Sequence, residues 1–583
     1  MTIALGITQS LSGQSWRWRG GSSLSGDAEG LVADLLRARG CADHDVERQR
    51  RPTIRDFMPN PSLFRDMDAA AARIAHAVVA GEQVTIFGDY DVDGATSAAL
   101  LIRLLRDLGL EAGYYIPDRL LEGYGPSGDA LMRLKLEGSS LVVTVDCGAQ
   151  AFEALEAAQS VGLDVIVVDH HQCATALPPA LALVNPNRLD ECAEGAEHGH
   201  LAAVGVAFLL GAAIVRLLRE QGWFKNRAEP NLLDLLDIVA LGTVADVAQI
   251  RGLNRAFVAQ GLKIMARGQN IGLAALLRAS GLKRAPLCHD LGFALGPRIN
   301  AGGRVGEADL GVRLLTTTDP LEAEEIAARL DALNVERRAI EASVQEEAEV
   351  QVLSQDNAAV VVASAKGWHP GVIGIVAGRL KERTGRPAIV IALDEEGKGK
   401  GSGRSITGVD LGAAVLAARD EGHLVAGGGH AMAAGLTIAA DRVEGFAAYL
   451  NERLAAKVEK AREDRSLLID TVVAPGGVTP GLVEALDGAG PYGNGWPAPR
   501  IATGPARVIK ADIVGTGHVR VILSGNDGRS IKAVAFRQAD TPLGQAILGC
   551  GRDKRLWVTG RAKIDDWSGR AAAELHIDDA AWA

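Results

Sequence analysis

Short apolar runs alternate with amphipathic stretches along the first half of the chain. Apolar runs predict strands at 83–87, 141–145 and 164–168, and helical periodicity predicts helices at 95–108 and 149–161. Strands separated by such helices form βαβ units, in which the strands lie parallel and the crossovers are right-handed. Further helical patterns follow this region. They are at 201–219 and 232–240. The pattern therefore predicts an α/β domain built on a parallel sheet.

A long charged helix is predicted at 320–355, with Asp319 as its N-cap and Pro320 in the first turn, where a missing N–H breaks no bond. A second α/β pattern follows, with strands at 358–364 and 387–393. Its helices are at 372–384 and 409–418. After about residue 465, short alternating strands separated by turn residues predict a small β-barrel. These strands are at 520–523, 531–536 and 556–559.

This pattern divides the chain into five segments. The glycines and serines at 20–23 predict a loose leader, and the long helix would bridge the two α/β domains. The segments are a partly flexible leader, an α/β domain with a helical extension, the bridging helix, a second α/β domain and the barrel, at 1–55, 56–317, 318–355, 356–465 and 466–583.

Charge narrows the choice of partners. A formal net charge of −11 over 583 residues argues against a surface covered with nonspecific nucleic-acid contacts. Residues 500–563 are the exception, with twelve Lys or Arg against four Asp or Glu. Six scattered cysteines without a C-x-x-C pair disfavour a zinc ribbon or a disulfide framework and suit a reducing cytoplasm. We expect no secretory signal. We also expect no membrane span, because the richest apolar run, 238–250, is shorter than about 20 residues.

Acidic residues recur where the first three predicted strands end. They are Asp89, Asp91 and Asp93 after the first strand, Asp146 after the second, and Asp169 with His170 and His171 after the third. Because ligands bind beyond the carboxyl ends of parallel strands, we expect these side chains to lie together. Three carboxylates in one short loop repel one another unless a cation neutralises them. The pattern indicates a metal site.

Two of these carboxylates could instead be helix caps. Asp93 could cap the helix that follows it, and a single carboxylate such as Asp146 is explained equally well as a cap.

Asp246, inside an apolar stretch, must be paired or metal-bound because burying a lone carboxylate costs several kcal/mol. His170 and His171 offer one imidazole ligand and one acid/base. Carboxylates with imidazoles suit Mn²⁺ or Mg²⁺, and there are enough ligands for two ions.

The second α/β domain holds residues suited to binding phosphate. Ser402 and Arg404 lie in a Gly-rich turn whose hydroxyls, N–H groups and guanidinium can cradle a phosphate, although a bare turn would be uninformative. His430 follows three glycines in a loop, either as a ligand-facing residue or as an incidental part of a tight turn. The Gly-rich segment 297–304 predicts a loop before the long helix. Four further residues near glycines, three of them in this segment, are open to structural or functional explanations. They are Arg298, Asn300, Arg304 and Arg379.

Eight short motifs follow one another along the chain: DYDVDG, VDCG, DHH, GTVAD, GPRINAGGR, GWHPGVIGIVAGRL, GSGRS and GGHAMAAG. In this order they resemble the DHH phosphoesterase superfamily, and within it the bacterial exonucleases specific for single-stranded DNA. The resemblance begins at about Thr53. It implies an α/β fold in which a parallel-sheet DHH domain is joined by a long helix to a second α/β DHH-associated domain, plus a C-terminal OB-like β-barrel.

The resemblance also implies a role for each candidate residue. The metal centre would comprise Asp91, Asp93, Asp146, His170 and Asp246, with Asp89 and Asp169 as ligands or close supports. The catalytic residues would be Asp146, His170 and His171, of which the last is the acid/base or transition-state stabiliser. Phosphate and DNA contacts would come from Ser402, Arg404, His430, Arg298, Asn300, Arg304 and Arg379.

The activity implied by the resemblance is a metal-dependent 5′→3′ exonuclease that degrades single-stranded DNA to mononucleotides in recombination and repair. It would act in the cytoplasm as a monomer, with helicase and single-strand-binding protein as partners. The barrel would hold the strand through phosphate contacts and stacking on Tyr492, Trp496 or Trp557. The family commonly has Asn at the position of Trp496, which puts the local barrel contacts in doubt.

Two alternatives stay open. One is a DHH phosphodiesterase of short oligoribonucleotides or cyclic dinucleotides, which would have less use for a basic C-terminal barrel. The other is an inactive DNA-binding scaffold on the same fold, which we would expect to have lost metal ligands that this chain retains.

Overall fold

The computed structural model describes residues 2–20, 28–119, 122–551, 553–565 and 572–583. They form two compact units. The first unit comprises Met1–Gly296, Gly311–Glu324 and Ser466–Ala583, and the second comprises Pro297–Leu310 and Glu325–Arg465. Among the helices in these described ranges, none is both long and apolar enough to cross a membrane.

The N-terminal segment packs on the C-terminal module. Strand β1 (Ser15–Trp18) pairs in parallel with Ser466–Ile469. Trp16 is fully buried and donates a hydrogen bond from Nε1 to Asp579 Oδ2 at 2.9 Å. The sequence pattern predicts a loose leader, whereas the described part is anchored by this side chain; residues 21–23 of the predicted loose stretch lie outside the described residues. The helices of this segment are α1 (Ala28–Ala38), α2 (Val46–Arg50) and α3 (Ile54–Phe57).

A five-stranded parallel sheet with the strand order β3-β2-β4-β5-β6 lies in the first unit. Its strands are β2 (Val84–Gly88), β3 (Gly113–Tyr115), β4 (Leu141–Val145), β5 (Asp164–Val168) and β6 (Ala182–Val184). The helices around it are α4 (Met67–Ala80), α5 (Val92–Asp107), α6 (Gly128–Leu136), α7 (Phe152–Ser160), α8 (Ala193–Ala196), α9 (Ala203–Glu220), α10 (Leu236–Ala245), α11 (Gly252–Met265), α12 (Ile271–Ala279) and α13 (Cys288–Asp290). Because every residue of β2 and β4 is buried, these strands appear in the sequence as continuous apolar runs. The sequence predicts a parallel sheet and the strands β2, β4 and β5, but not the short strands β3 and β6.

Three helices follow before the second sheet. They are α14 (Gly296–Val305), α15 (Leu310–Thr316) and α16 (Pro320–Leu353). The predicted long helix is present, with 34 residues. The Gly-rich segment 297–304, for which a loop is predicted, is instead helical.

The second unit contains a mixed sheet with the order β10-β11-β9-β8-β7. Its strands are β7 (Val361–Lys366), β8 (Ala388–Leu393), β9 (Lys398–Arg404), β10 (Ala426–His430) and β11 (Ala433–Ala439), and its helices are α17 (Ile373–Thr384), α18 (Leu411–Asp420) and α19 (Val443–Glu463). The prediction of turns at 401–405 and 427–430 was wrong, because both segments belong largely to strands. A Cβ on Gly401 would lie 2.6 Å from Leu436 Cδ1, so this strand glycine makes room for core side chains.

The C-terminal module is a closed barrel, because β14 pairs with both β15 and β17. The strands are β12 (Ser466–Ile469), β13 (Thr471–Val472), β14 (Ile501–Val514), β15 (His518–Ser524), β16 (Ser530–Ala535), β17 (Arg555–Asp565) and β18 (Ala572–Trp582), and the helices are α20 (Pro480–Asp487) and α21 (Pro542–Leu548). The predicted barrel is therefore confirmed.

The charge of the barrel is less one-sided than residues 500–563 suggest. Residues 466–583 carry thirteen Lys or Arg against twelve Asp or Glu. Arg500, Arg520 and Lys532 form ion pairs with acidic residues of the module. Local positive charge therefore rests on the remaining basic side chains. The rings of Tyr492, Trp496 and Trp557 are packed into hydrophobic clusters, so protein contacts already occupy them.

Candidate metal centre

The DYDVDG segment forms a tight turn between β2 and α5. Asp91 is the N-cap of α5, and its Oδ1 accepts hydrogen bonds from the amides of Asp93 at 2.8 Å and Gly94 at 3.2 Å. A Cβ on Gly94 would lie 2.6 Å from the Asp89 nitrogen, so only glycine lets the turn pack this closely. Asp89 is buried, and within the described structure its Oδ1 has no hydrogen-bond partner. A buried carboxylate oxygen of this kind requires a cation or a proton.

Asp93 caps a different helix from the one that was expected. Its Oδ2 accepts a hydrogen bond from the Ala203 amide at 2.7 Å, and its Oδ1 accepts one from the Val204 amide at 3.0 Å. The alternative that Asp93 caps its own helix was therefore wrong, because Asp91 does so. The first turn of α9 holds the Asp93 carboxylate in place instead.

Asp169 organises the DHH turn at the end of β5. Its Oδ1 accepts hydrogen bonds from the amides of His170 at 2.7 Å and His171 at 3.1 Å, and it lies 2.7 Å from His171 Nδ1. Its Oδ2 accepts from the Ala149 amide at 3.0 Å. Oδ1 thus fixes the DHH backbone and the His171 imidazole, and Oδ2 ties the turn to the Ala149 amide.

Three groups of side chains have ligand atoms within 4.8 Å of one another. They are Asp93, His170 and Asp246; Asp89, Asp91 and Asp146; and Asp146, His170 and His171. The first two groups share no residue, so the cluster has enough ligands for two ions. His170 Nε2, which lies 3.2 Å from Asp146 Oδ1, joins the groups. Six of the seven predicted metal residues are in these groups, and the seventh, Asp169, hydrogen-bonds to His171 behind them.

Burial and mutual repulsion make the carboxyl groups hard to ionise. Burial, followed by the charge of Asp91, raises the pKa of Asp89 to about 8 and that of Asp93 to about 7. Burial, followed by Asp93 and Asp91, raises the pKa of Asp246 to about 9, and burial with the same neighbours raises that of Asp146. A divalent cation would favour the charged forms. The donors, carboxylate oxygens with imidazole, fit Mn²⁺ or Mg²⁺.

The two histidines are tuned in opposite directions. Burial and the neighbouring His171 lower the pKa of His170 to about 4, which keeps its imidazole neutral, as a metal ligand must be. Burial also acts to lower the pKa of His171, but the hydrogen bond and charge of Asp169 outweigh it and raise that pKa. Burial acts to raise the pKa of Asp169, and His171 lowers it to about 2. His171 and Asp169 therefore form an ion pair beside the ligand cluster.

Three residues at this site were missed by the sequence reasoning. The Tyr124 hydroxyl donates to the Asp146 carbonyl at 3.0 Å and lies 3.4 Å from His171 Nδ1. Asn185 and Asn187 donate to the carbonyls of His171 at 2.8 Å and His170 at 2.5 Å. The signals available in the sequence were a tyrosine between two glycines and an Asn-Pro-Asn segment just after the short apolar run that forms β6.

In the second unit, Ser402, Arg404 and His430 share one face of the sheet. Arg404 is paired with Ala433, which is paired with His430. Arg404 Nη1 donates to Ser402 Oγ at 3.1 Å. Ser402 is paired with Gly435, where an added Cβ would meet open space, so this face leaves room for a ligand.

The other four predicted substrate-binding residues differ in exposure, because Arg298 is buried, Asn300 and Arg304 are half-buried and Arg379 is exposed. Arg298 forms an ion pair with Asp331 at 2.9 Å, Arg304 donates to the Gly371 carbonyl at 3.0 Å, and Arg379 lies 3.5 Å from Glu341. Within the described structure, the buried Oδ1 of Asn300 has no hydrogen-bond partner. The three arginines therefore have protein contacts, whereas Asn300 retains a free acceptor.

Comparison with known proteins agrees with the fold. Family models match residues 83–243 (DHH family, N-terminal domain), 357–456 (DHHA1 domain) and 469–579 (RecJ OB domain). The fold and the acidic site thus define a protein of the DHH class. The single-stranded-DNA-specific exonuclease RecJ of Dickeya dadantii is 40% identical over 94% of this chain and 95% of its own length. The chain belongs to the RecJ family.

Solved structures point to the same family. The crystal structure of RecJ from Thermus thermophilus in complex with Mn²⁺ is similar with a TM-score of 0.77 and 28% identity, over 97% of this chain and 79% of that one. The Mg²⁺ complex of the same protein has a TM-score of 0.72 and 27% identity, over 97% and 78% of the two chains. Both ions are those that the donor set fits.

Proposed function

We propose that this chain is a metal-dependent exonuclease that hydrolyses single-stranded DNA in the 5′→3′ direction to mononucleotides and acts in recombination and repair. The observation that carries the proposal is the pair of ligand triads with no shared residue, beside the ion pair of His171 and Asp169. The proposed substrate is that of the relatives in the RecJ family, which are named as single-stranded-DNA-specific exonucleases.

The proposed ligands divide between two ions. Asp93, His170 and Asp246 would hold one ion, and Asp89, Asp91 and Asp146 the other. Bound Mn²⁺ or Mg²⁺ would supply an activated water and stabilise charge on the phosphate. Asp169 does not need to bind an ion in this assignment, because its oxygens already accept four hydrogen bonds.

His171 would act on the phosphate from its second nitrogen. Nδ1 is engaged by Asp169 Oδ1, and Nε2, which lies 3.5 Å from the Tyr124 hydroxyl, would face the substrate. A proton held at Nε2 can be donated to a phosphate oxygen or to the leaving oxygen. Asp169 and Tyr124 would keep the ring in place, because both contact it.

The remaining residues would bind the DNA. Ser402, Arg404 and His430, on the sheet face where Gly435 leaves space, would contact a phosphate, supported by Asn300 and by Arg298, Arg304 and Arg379. The barrel would bind the strand through its unpaired basic side chains. We further propose that the protein acts as a monomer in the cytoplasm with helicase and single-strand-binding protein. All six cysteines, each within the described ranges, are free, which suits a reducing compartment.

The test is a nuclease assay with Mn²⁺ and end-labelled single-stranded DNA, duplex DNA and RNA oligomers. We expect loss of single-stranded DNA from the 5′ end. Asp146→Ala should abolish activity, and His171→Ala should lower kcat by about 10²–10⁴-fold, typical of a lost acid/base. His44→Ala, at an exposed leader residue, is the matched control.

Several outcomes would overturn the proposal. Full activity in Asp146→Ala and His171→Ala would contradict the site. Cutting from the 3′ end, or a preference for RNA, would contradict the substrate. Unchanged affinity for long single strands after removal of residues 466–583 would favour the small-substrate phosphodiesterase instead.

A further inference from the structure

A turn that precedes the barrel packs directly on the loop after Asp246. Asn494 Nδ2 donates to the Val247 carbonyl at 2.6 Å, and the Ile250 amide donates to the Asn494 carbonyl at 2.8 Å. A Cβ on Gly493 would lie 2.7 Å from Ile250 Cγ1, which shows how closely the turn packs on the Ile250 side chain. Asn494 therefore bonds to both ends of the segment 247–250.

The segment held in this way is strained. Val247 has a φ of 60°, a left-handed conformation that is unfavourable for a β-branched residue. Val247 is 64% exposed, so burial is not what holds the backbone there. Conformations of this kind persist where surrounding contacts impose them. Here the Ala248 amide donates to the Thr243 carbonyl at 3.2 Å at the end of α10, and the Val247 carbonyl accepts from Asn494 Nδ2 at 2.6 Å.

The turn itself is firmly anchored by contacts with α11 and the segments beside it. Trp496 packs in a cluster with Ile250, Val258 and Cys288, and the Arg255 guanidinium lies 4.8 Å from the centre of its ring. Arg255 is fully buried and donates to the carbonyls of residues 489, 490 and 491. Asn494 is thus presented from a fixed support rather than from a free loop.

We propose that Asn494 is a positioning residue for the metal centre, acting through Val247 on Asp246. Asp246 ends α10, and the left-handed residue that follows it sets where the chain turns. Loss of the Asn494 hydrogen bond lets Val247 relax and moves the adjacent Asp246 carboxylate. The inference rests on the proposed function, because it takes Asp246 as a metal ligand.

The test measures binding of Mn²⁺ alone to the full chain by isothermal titration calorimetry, together with the melting temperature. Asn494→Ala and Asn494→Asp, which keeps the size but lacks the donor, should each weaken the affinity for one ion by about tenfold, as loss of a supporting contact does. Because Asn494 is exposed, neither change leaves a buried cavity. Asn526→Ala, which removes an exposed, hydrogen-bonded Asn within the barrel, should leave Mn²⁺ affinity unchanged.

Asp246→Asn separates failure of this inference from failure of the proposed function. If Asp246→Asn weakens Mn²⁺ binding and the Asn494 variants do not, the positioning role is overturned and the metal site stands. If Asp246→Asn also leaves binding unchanged, the ligand assignment itself fails. A lower melting temperature with unchanged Mn²⁺ affinity would reduce Asn494 to a docking contact and would likewise overturn the inference.

Discussion

Replacing Gly242 by alanine separates what helix propensity predicts from what the metal centre allows. Gly242 lies within α10, where alanine is favoured over glycine by about 1 kcal/mol. Propensity alone therefore predicts that Gly242→Ala stabilises the protein. The structure predicts the opposite, because α5, α9 and α10 meet at this glycine.

The magnitude follows from the atoms that the new methyl group would meet. It would overlap Thr96 Oγ1, lie 2.8 Å from Val204 Cγ1 and lie 3.2 Å from Asp93 Oδ1. Thr96 and Val204 are fully buried, and Thr96 Oγ1 is held by a hydrogen bond to the Val92 carbonyl at 2.7 Å. Overpacking of this kind costs about 1–3 kcal/mol, and the crowded geometry favours the upper half of that range. After subtracting the helix gain, we expect a net loss of about 1–2 kcal/mol.

The assay combines thermal unfolding with titration of Mn²⁺. Gly242→Ala should lower the melting temperature by a few degrees. It should also weaken Mn²⁺ binding, because the methyl group displaces the Asp93 carboxylate. Thr96→Ala in the same chain removes the most crowded atom and should restore part of both losses in a double-mutant cycle.

Gly378→Ala is the matched control, since Gly378 lies inside α17 and no atom lies within 4 Å of the added Cβ. There the substitution should be neutral or stabilising. The reasoning is refuted if Gly242→Ala is as stable as the unchanged protein and binds Mn²⁺ equally well.

Two further predictions concern single side chains. Tyr124→Phe removes the hydroxyl that contacts both the Asp146 carbonyl and His171. It should lower kcat on single-stranded DNA about fivefold to tenfold, equivalent to about 1 kcal/mol. An unchanged kcat contradicts this role. The hydrogen bond from Arg73 holds the pKa of Glu82 at about 2, below its ordinary value of 4.5, so its stabilisation is present above pH 4.5 and is lost as the pH falls through 2. The full pKa shift corresponds to about 3 kcal/mol of unfolding free energy, and solvent screening reduces this to about 1–2 kcal/mol. Glu82→Gln should therefore lower the unfolding free energy by that amount at pH 7 and by progressively less in acid. Urea denaturation measures this loss, and a loss that does not depend on pH contradicts the reasoning.

The sheet edge that carries the site was predictable because its signals are local. The strands at 141–145 and 164–168 have the predicted bounds, since a strand buried on both faces is a continuous apolar run. The carboxylates that follow them are then placed by the rule for parallel sheets. Sequence order alone thus brings Asp89, Asp146 and His170 to one edge.

Two strands of the second unit, β9 and β10, were harder to predict because they are rich in glycine. Each contains three glycines, so an alternation of apolar and polar side chains is not visible in the sequence. In the same way, α14 contains three internal or terminal glycines and was taken for a loop. Glycine marks turns when no packing is known, whereas in β9 it makes room for core side chains such as Leu436.

Contacts between distant parts of the chain decide how the acidic residues divide their roles. From the sequence, capping a helix and binding a metal look like alternative roles for Asp93. The structure shows that they are compatible, because its oxygens accept hydrogen bonds from amides 110 residues away and still lie within the ligand cluster. Asp91 likewise caps α5 with Oδ1, which leaves Oδ2 for an ion. A carboxylate fixed by backbone amides keeps its position when the ion is absent, so capping prepares the ligand set. Asp169 differs from Asp91 and Asp93, because hydrogen bonds from backbone amides and from the His171 imidazole occupy both of its oxygens. Its role is therefore to hold His171.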